Sequence, residues 1–206
     1  MTAEIIPDIV VSRLPSYLQT LNQMAKEGFY TVSSKMLSDR VGVTAAQIRK
    51  DLSHFGGFGK QGTGYPIYHL IEELQKILNM DRVWKVAVVG AGDLGRALAH
   101  YQGFALRGIE IVLIFDIDPK IIGAQVGALT VLPVDQMASE IKNMGIKIAI
   151  LTVPGEVAQQ TAERLVEAGV EAILNYAPVT LILPESIHVQ HIDPVLHIQR
   201  LMYYLG

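Results

Sequence analysis

The fold is decided by residues 85–95, Lys85-Val86-Ala87-Val88-Val89-Gly90-Ala91-Gly92-Asp93-Leu94-Gly95. A short apolar strand runs directly into a GxGxxG loop that opens a helix, which is the pattern of a dinucleotide-binding turn. Gly90 permits the tight turn, Gly92 lets the backbone approach a pyrophosphate, and Gly95 lets the helix pack close to the strand. The pyrophosphate would lie on the free amides at the helix N-terminus. The segment therefore predicts a Rossmann-type nucleotide-binding domain.

The next strand supplies the acidic residue that such a site needs. Residues 109–115 are an apolar run that ends at Asp116, 21 residues beyond Gly95. A carboxylate there accepts hydrogen bonds from the ribose hydroxyls and repels a 2′-phosphate, so the pattern favours NAD(H) over NADP(H). The alternative is a related domain that binds CoA or another nucleotide, in which the same glycine loop holds a different diphosphate.

Strands alternate with helices through the rest of this region. The pattern predicts strands over residues 147–153, 172–174 and 187–192 and a helix over 157–168. The fold class is therefore α/β, with a doubly wound parallel sheet. Ligands of such sheets bind at the carboxyl ends of the strands. We expect the cofactor to contact the glycine loop, the acid after the second strand and residues at two later strand ends: Gly90, Ala91, Gly92, Asp93, Leu94, Gly95, Asp116, Thr152, Val153, Pro154 and Asn175.

The first part of the chain has a different pattern, that of a helix-turn-helix. Apolar residues at three- and four-residue spacing predict a helix over 13–27, and a short second helix follows over 35–41. A tight glycine turn separates it from a third helix over 45–54, which Thr44 can cap. Helix, short glycine turn and helix in this order are typical of a DNA-binding motif.

The third helix has one apolar and one polar face. On a helical wheel Ala45, Ile48 and Leu52 share the apolar side. The opposite side offers two long cations, an amide and small residues, which suit phosphates and base edges in a major groove. An ordinary amphipathic helix with a solvated face is the alternative. On the first interpretation the DNA contacts of this helix and its cap are Thr44, Ala46, Gln47, Arg49, Lys50 and Ser53.

A glycine-rich segment follows the third helix. Residues 55–65 hold five glycines, three aromatic residues and one lysine. They predict a hairpin wing with Lys60 and Gln61 at its tip, placed to touch the phosphate backbone or the minor groove; a flexible linker is the alternative. The charge distribution also points to a polyanionic partner for the first part of the chain. Residues 9–62 hold seven basic residues against three acidic ones, a net charge of +4, whereas residues 63–206 carry −5.

Composition excludes several other classes of protein. The chain has 206 residues, of which half are apolar and 18% are charged, so it can bury a core. It has no cysteine, which excludes disulfides, thiolate metal sites and a cysteine nucleophile. We expect no signal peptide and no membrane-spanning helix, and therefore a cytoplasmic protein. His188, His191 and His197 match no metal-binding pattern.

Catalysis is not expected. Residues 81–192 are used up by the nucleotide fold, so no separate substrate domain fits, and binding without turnover is favoured. No catalytic residue and no metal ligand is therefore predicted. Two other functions remain open on the sequence: an NAD-dependent dehydrogenase with an added N-terminus, and a regulatory subunit that binds CoA or another nucleotide.

Seven motifs spread over the chain occur together in one known family. They lie at residues 12–18, 47–56, 62–66, 90–98, 115–119, 151–154 and 173–178. In this combination the chain resembles the Rex family of redox-sensing transcriptional repressors, and the resemblance runs from about residue 7 to the C-terminus.

The resemblance implies an organisation and a function. It implies a winged-helix DNA-binding domain with a linker helix over residues 1–80, a Rossmann NAD(H)-binding domain over 81–192, and a C-terminal helix over 193–206 that is exchanged between the subunits of a homodimer. Members of the family bind inverted-repeat operators and release them when NADH replaces NAD+. The implied function is repression of transcription in response to the NADH/NAD+ ratio, without catalysis.

The resemblance also implies roles for individual DNA-binding residues. Arg49 and Lys50 match the basic pair of the family's recognition helix, and Lys60 matches its wing lysine. Gln61 departs from the family, because members usually carry a second basic residue there. The wing of this chain therefore brings one positive charge fewer to the phosphate backbone.

Two further residues are implied to form the redox switch. Tyr101 and Asp193 match the partners of an arginine that ties the two domains together in one redox state. The nicotinamide ring is positively charged when oxidised and neutral when reduced, so these side chains could sense the difference and rotate the subunits. Gln19 stands in place of that arginine, and Pro194 follows Asp193 where an apolar or aromatic residue is common.

Overall fold

The computed structural model describes residues 6–58 and 64–205. The chain divides into two compact units, with the division between Arg82 and Val83. We call the unit that ends at Arg82 the head and the unit that begins at Val83 the body. In the described ranges no helix is both long and apolar enough to cross a membrane.

The described part of the head consists of short helices and a two-stranded antiparallel sheet. Along the chain its elements are α1 (Asp8–Val11), α2 (Leu14–Lys26), β1 (Thr31–Val32), α3 (Ser34–Val41), α4 (Ala45–Ser53), β2 (Tyr65–Pro66) and α5 (Ile67–Ile77). The ends of α2, α3 and α4 lie within one residue of the predicted ends. The elements α1 and β1 were not predicted, because segments of four and two residues are too short to show a period.

Caps and one glycine define the turn between α3 and α4. The Ser33 hydroxyl accepts the N–H of Met36 at 3.1 Å, and the Thr44 hydroxyl accepts the N–H of Gln47 at 3.2 Å. Gly42 ends α3 with φ +77°, a left-handed conformation that costs other residues roughly 1–2 kcal/mol. These contacts confirm the predicted helix-turn-helix.

One apolar cluster holds the head together. Side chains from four helices are fully buried in it, and each contributes roughly 1.5–3 kcal/mol to stability; they include Leu14, Leu21, Leu37, Ile48, Leu70 and Leu74. Phe58, from the glycine-rich segment, is also buried in this cluster. The predicted wing tip, Lys60 and Gln61, lies outside the described residues.

The body is an α/β unit built on one sheet. Along the chain its elements are β3 (Trp84–Val89), α6 (Asp93–Ala99), α7 (Gln102–Ala105), β4 (Ile109–Asp116), β5 (Gln125–Val126), β6 (Leu129–Pro133), α8 (Met137–Met144), β7 (Ile148–Leu151), α9 (Gly155–Glu167), β8 (Ala172–Asn175), β9 (His188–His191) and α10 (Pro194–Tyr203). The order of strands across the sheet is β5-β6-β4-β3-β7-β8-β9.

The sheet is doubly wound, as predicted. Every pair from β6 to β9 is parallel, and only the edge pair β5–β6 is antiparallel in the described residues. The chain moves outward from β3 in one direction through β4 and in the other direction through β7. A crevice forms where the strand order reverses in this way, at the carboxyl ends of β3, β4 and β7.

Both faces of the sheet are covered at its centre, which explains why the central strands β3, β4 and β7 are largely apolar. Ala87 and Val89 point into one buried cluster, which α8 and α9 complete. Val86 and Val88 point into a second cluster on the other face. The last four residues of β3, from Val86 to Val89, are therefore all buried, and no hydrophobic alternation is visible in that part of the sequence.

Two of the predicted strand ends were wrong. The strand predicted over residues 147–153 is β7, which ends at Leu151, because its partner strand β3 ends at Val89, and the N–H of Thr152 makes the last bond of this ladder to the Val89 carbonyl at 2.9 Å. The strand predicted over 187–192 is the four-residue β9. The elements β5, β6 and α8, between residues 116 and 147, were not predicted.

The last helix, α10, is amphipathic and exposed. Asp193 caps it, because its Oδ1 accepts the N–H of Val195 at 2.9 Å. All ten residues of α10 are exposed, although many are apolar. Its apolar side chains Val195, Leu196, Ile198, Leu201 and Met202 are each between 56% and 62% exposed.

Candidate nucleotide site and DNA-binding surface

The three glycines of the GxGxxG loop occupy different environments. Gly90 has φ +100°, and an added Cβ would lie 2.6 Å from the carbonyl oxygen of Thr152. A Cβ on Gly95 would overlap the carbonyl oxygen of Gly90. Around Gly92, however, an added Cβ would meet no atom within 4 Å. The loop is thus closed on its inner side and open at Gly92, where a phosphate group could approach the backbone.

Asp116 lies at the end of β4, beside the glycine loop. Its Oδ2 accepts the N–H of Ala91 at 2.6 Å, and its Oδ1 accepts the N–H groups of Ile117 and Asp118 at 2.7 and 2.8 Å. An ionised carboxylate has about four acceptor positions, so these three bonds leave room for a hydroxyl donor. Asp118 bonds the N–H of Lys120 at 2.9 Å, which is the contact of a turn residue.

Thr152 supports the glycine loop from β7. Its hydroxyl lies 2.8 Å from the carbonyl oxygen of Gly90 and 3.1 Å from that of Val89. One hydroxyl has one proton, so these two carbonyls share a single donor. The next residue, Val153, is half-buried against the core, and Pro154 precedes α9 at the surface. Thr152 thereby fixes the shape of the loop from behind.

Asn175 is buried at the end of β8, and its amide is fully used by neighbouring groups. Its Nδ2 donates to the carbonyl of Val179 at 2.9 Å and lies 3.0 Å from Nδ1 of His191. Its Oδ1 accepts the N–H of Ala177 at 2.9 Å. Asn175 therefore holds the turn after β8 in place, and its contact with a cofactor stays a prediction.

Tyr101 and Asp193, the predicted switch residues, have local partners in the body. The Tyr101 ring is about half exposed and packs edge-on against Phe104, with centroids 5.2 Å apart. It also lies over Gly103, where an added Cβ would overlap the ring. Asp193 caps α10. The role of both residues in a switch stays a prediction.

The exposed face of α4 contains the residues predicted to contact DNA. Ala46, Arg49, Lys50 and Ser53 are exposed, whereas Ile48 and Leu52 are buried; the amphipathic prediction is confirmed. The Arg49 guanidinium donates to the hydroxyl of Ser34 at 2.9 Å, so it is held beside the start of α3. The Ser53 hydroxyl donates to the carbonyl of Lys50 at 2.7 Å.

A buried charged cluster lies under α4, and it was not predicted from the sequence. Asp51 is fully buried and forms a two-pronged ion pair with Arg13 of the α2 N-terminus, with both N–O distances 2.7 Å. The Tyr17 hydroxyl donates to the same carboxylate at 2.7 Å, and the Gln47 amide donates at 2.6 Å. The one available signal is the position of Asp51 on the helical wheel, next to the apolar side.

The environment of Asp51 determines its charge. Burial acts to raise the pKa of the Asp51 carboxyl, but hydrogen bonds from Arg13, Tyr17 and Gln47 outweigh burial and lower that pKa below its usual value. Burial and the nearby carboxylate raise the pKa of the Tyr17 hydroxyl well above its usual range. Asp51 is therefore ionised and Tyr17 protonated at neutral pH.

A helix-turn-helix head with a basic outer face, joined in one chain to a body with a dinucleotide-type glycine loop, defines a ligand-responsive DNA-binding regulator. In the described ranges no group of three or more His, Asp or Glu side chains could hold a metal ion.

Comparison with known proteins agrees with this class. The family model described as "Putative DNA-binding protein N-terminus" matches residues 5–53, and the model described as "CoA binding domain" matches residues 81–179. The redox-sensing transcriptional repressor Rex of Chloroflexus aurantiacus is 48% identical over 204 residues, which are 99% of this chain and 96% of the relative. The Rex protein of Carboxydothermus hydrogenoformans is 41% identical over 198 residues, 96% of this chain and 95% of its own.

Solved structures extend the similarity. The structure of RSP in complex with β-NAD+ and operator DNA has a TM-score of 0.93 and 38% identity, and the match covers 98% of this chain and 93% of RSP. RSP in complex with β-NADH matches with a TM-score of 0.90 and 36% identity over 98% of this chain and 94% of RSP. RSP is itself described as a Rex-family repressor.

The chain belongs to the Rex family of redox-sensing transcriptional repressors. This membership confirms the predicted fold class, a winged-helix head followed by a Rossmann body, and the predicted function as a repressor. The protein is a regulator rather than an enzyme, so the dehydrogenase alternative is wrong.

Proposed function

We propose that this protein binds an inverted-repeat operator as a homodimer and releases it when NADH replaces NAD+. The observation that carries the proposal is the match over nearly the full length of both chains to RSP, a protein solved with β-NAD+ and operator DNA and again with β-NADH. The alternative ligand, CoA, has support only from the general description of the model that matches the body. We place the protein in the cytoplasm, where it meets both DNA and the NAD(H) pool.

The glycine loop and Asp116 form the proposed NAD(H) site. The open backbone at Gly92 would accept the pyrophosphate, and the remaining acceptor capacity of Asp116 would take a ribose hydroxyl. The negative charge of Asp116 disfavours a 2′-phosphate. Backbone atoms of the loop and side chains at the strand ends complete the proposed set: Gly90, Ala91, Asp93, Leu94, Gly95, Thr152, Val153, Pro154 and Asn175.

The exposed face of α4 forms the proposed DNA contact. Lys50 and Arg49 would neutralise phosphates, and Gln47 is the residue of this face best suited to read a base edge. Thr44, Ala46 and Ser53 are small enough to let the helix approach the groove. Lys60 and Gln61 are proposed as further contacts from the sequence.

The C-terminal helix forms the proposed dimer contact. Its five apolar side chains between Val195 and Met202 are more than half exposed, so burial against a second copy of the chain would stabilise it. We propose residues 193–206 as the exchanged segment, residues 1–80 as the DNA-binding domain and residues 81–192 as the NAD(H)-binding domain. A dimer can read two half-sites only when their spacing fits the DNA helical repeat.

The proposed switch acts through charge at the nicotinamide end of the site. When bound, the nicotinamide supplies a ring that is positive in NAD+ and neutral in NADH. The carboxylate of Asp193 would be attracted to the positive ring only, and the exposed ring of Tyr101 could pack against it. A change at these residues would alter the distance between the two heads of the dimer.

A DNA titration tests the proposal. A duplex is first selected with the purified chain from a pool of inverted repeats with randomised half-sites. Its affinity is then measured by fluorescence anisotropy at one salt concentration with NAD+, NADH or CoA. We expect tight binding with NAD+ and at least about 10-fold weaker binding with NADH. If no duplex is selected, or if NADH is consumed, the proposal is wrong; release by CoA alone would favour the other ligand.

A single variant distinguishes DNA binding by the head from NADH binding by the body. Lys50→Ala should weaken binding of every duplex and reduce the salt dependence by about one counterion. NADH affinity, measured by quenching of nicotinamide fluorescence, should not change. An equal loss of NADH binding would mean that the variant had damaged the fold.

A further inference from the structure

We propose that Asp51 is a positioning residue for base recognition: it orients the amide of Gln47 on the recognition helix α4 and links that amide to α2. This inference rests on the proposed DNA-binding function. Asp51 itself is fully buried, so it cannot touch DNA.

The Asp51 carboxylate accepts four hydrogen bonds, two on each oxygen. Its Oδ1 accepts from Nη2 of Arg13 and Nε2 of Gln47, at 2.7 and 2.6 Å. Its Oδ2 accepts from Nε of Arg13 and the hydroxyl of Tyr17, both at 2.7 Å. These four bonds use all the acceptor positions of the carboxylate. Gln47 precedes Asp51 by one helical turn, so the two side chains lie along the same side of α4.

The Asp51 carboxylate determines the orientation of the Gln47 amide. The two ends of a glutamine amide have nearly the same shape, but one end donates and the other accepts hydrogen bonds. An ionised carboxylate only accepts, so it requires that Nε2 of Gln47 points toward Asp51. The lowered pKa of Asp51 keeps the carboxylate ionised at neutral pH. Oε1 and the second N–H of Gln47 are left available at the half-buried edge of the helix.

The orientation of the Gln47 amide determines which base it fits. In the proposed arrangement Asp51 takes the hydrogen that points away from Oε1, so the other N–H and Oε1 of Gln47 point the same way. An adjacent donor and acceptor are complementary to N7 and N6 of adenine in the major groove. A glutamine already held in place loses less side-chain entropy on binding than a free one. Gln47 is therefore assigned to an A·T base pair in each half-site.

The buried ion pair between Asp51 and Arg13 also suits a positioning role. Buried ion pairs add little stability compared with apolar packing, and their best attested use is to select one arrangement of the chain. Here Arg13 and Tyr17 hold the carboxylate from α2, 38 and 34 residues away along the chain. The network fixes the position of the Gln47 amide, on α4, relative to the rest of the head.

The test compares base discrimination in matched variants. Asp51→Asn keeps the shape but replaces an acceptor-only group with one that also donates, so the Gln47 amide loses its fixed orientation. Gln47→Ala removes the amide. Affinities are measured for the selected operator, for duplexes with each half-site base pair replaced in turn, and for an unrelated duplex. Asp39→Asn, an exposed position on α3, is the control for the same change in charge.

The expected result is a local loss of specificity. Asp51→Asn should lose about 10-fold of the discrimination at one A·T pair per half-site. Gln47→Ala should lose discrimination at the same pair, and the double variant should lose no more than Gln47→Ala alone. Binding of the unrelated duplex should stay within about twofold, because Arg49 and Lys50 still contact phosphates. Asp39→Asn should keep the full pattern of discrimination.

Other results would overturn the inference. If Asp51→Asn weakens all duplexes equally, leaves the pattern unchanged, or adds its effect to that of Gln47→Ala, Asp51 does not orient Gln47. If circular dichroism shows that Asp51→Asn is unfolded, Tyr17→Phe decides, because it keeps the ring but removes one of the two donors that hold Oδ2, so the carboxylate that positions the Gln47 amide is less firmly fixed. It should reduce discrimination at that pair about threefold, and no change there would refute the inference. Failure of the unchanged chain to bind the operator refutes the proposed function instead.

Discussion

Asp51 in the head and Asp116 in the body both organise a site, but they do so in opposite ways. Asp51 is fully buried, and side chains from two helices occupy all its acceptor positions. Asp116 is at the edge of a crevice, accepts three backbone N–H groups and keeps room for one more donor. A carboxylate whose acceptor positions are all occupied serves the fold and the groups around it. A carboxylate with an unused acceptor position can take part in ligand binding.

The largest expected effect is the loss of stability when Asp51, whose acceptor positions are all occupied, is removed. Asp51→Ala leaves the Arg13 guanidinium beneath α4 without its anion and removes the acceptor of the Tyr17 hydroxyl. We expect the head to lose about 3–5 kcal/mol of stability. Urea unfolding followed by circular dichroism measures this change. NADH binding by the body should persist, and a loss below about 1 kcal/mol would show that the network is not a structural unit.

The second prediction separates the inner from the outer side of the glycine loop. Gly95→Ala places a Cβ against the carbonyl of Gly90, so it should destabilise the body by about 1–3 kcal/mol and weaken NADH binding. Gly92→Ala meets no neighbouring atom, so it should leave the thermal midpoint unchanged and weaken NADH binding only. Equal loss of stability in both variants, measured by thermal melting, would contradict this difference between the two sides.

The third prediction concerns Asp116, the carboxylate with an unused acceptor position. Asp116→Asn removes the negative charge and part of the acceptor capacity beside the loop. We expect the ratio of NADPH to NADH affinity to rise by about 10-fold, because the repulsion of a 2′-phosphate is lost. Fluorescence titration with both nucleotides measures the ratio. Asp118→Asn, the neighbouring turn residue, is the control and should keep the preference for NADH.

The smallest expected effect is the pH dependence of the head. Because the folded-state pKa of Asp51 lies below the unfolded-state value, the unfolded chain binds the proton more readily. The contribution of Asp51 to stability is therefore complete above about pH 4 and is lost as the pH falls further. Urea midpoints between pH 3 and 6 should decline less steeply in Asp51→Asn than in the unchanged chain. Parallel declines would show that other groups dominate acid unfolding.

Periodic and local patterns were the part of the fold that could be predicted. The caps of α3 and α4, the helix period and the GxGxxG loop depend on residues close together in the chain, and each predicted its element within a residue or two. The elements β5, β6 and α8 were missed, because two- to eight-residue segments leave little period to detect. The end of β7 at Leu151 depends on the end of its partner strand β3 at Val89, a residue distant in the chain, so the sequence around residue 151 does not show it.

The positions of the site residues in the fold could be predicted, but the partners of their side chains could not. The rule about strand ends placed Asn175 at the correct edge of the sheet. The rule does not say where a side chain points, and the Asn175 amide turns to the backbone of residues 177–179. Asp51 was missed for the same reason, because its principal partner, Arg13, lies 38 residues earlier in the chain.

If α10 is the proposed dimer contact, its exposure in the single chain makes the repressor sensitive to its own concentration. If two copies of the chain bury this helix against each other, folding of the C-terminus and pairing of the subunits are a single equilibrium. Each tenfold dilution then removes about 1.4 kcal/mol from the free energy that favours the paired form. The abundance of the protein, as well as the redox state of its nucleotide, therefore determines how many operators are occupied.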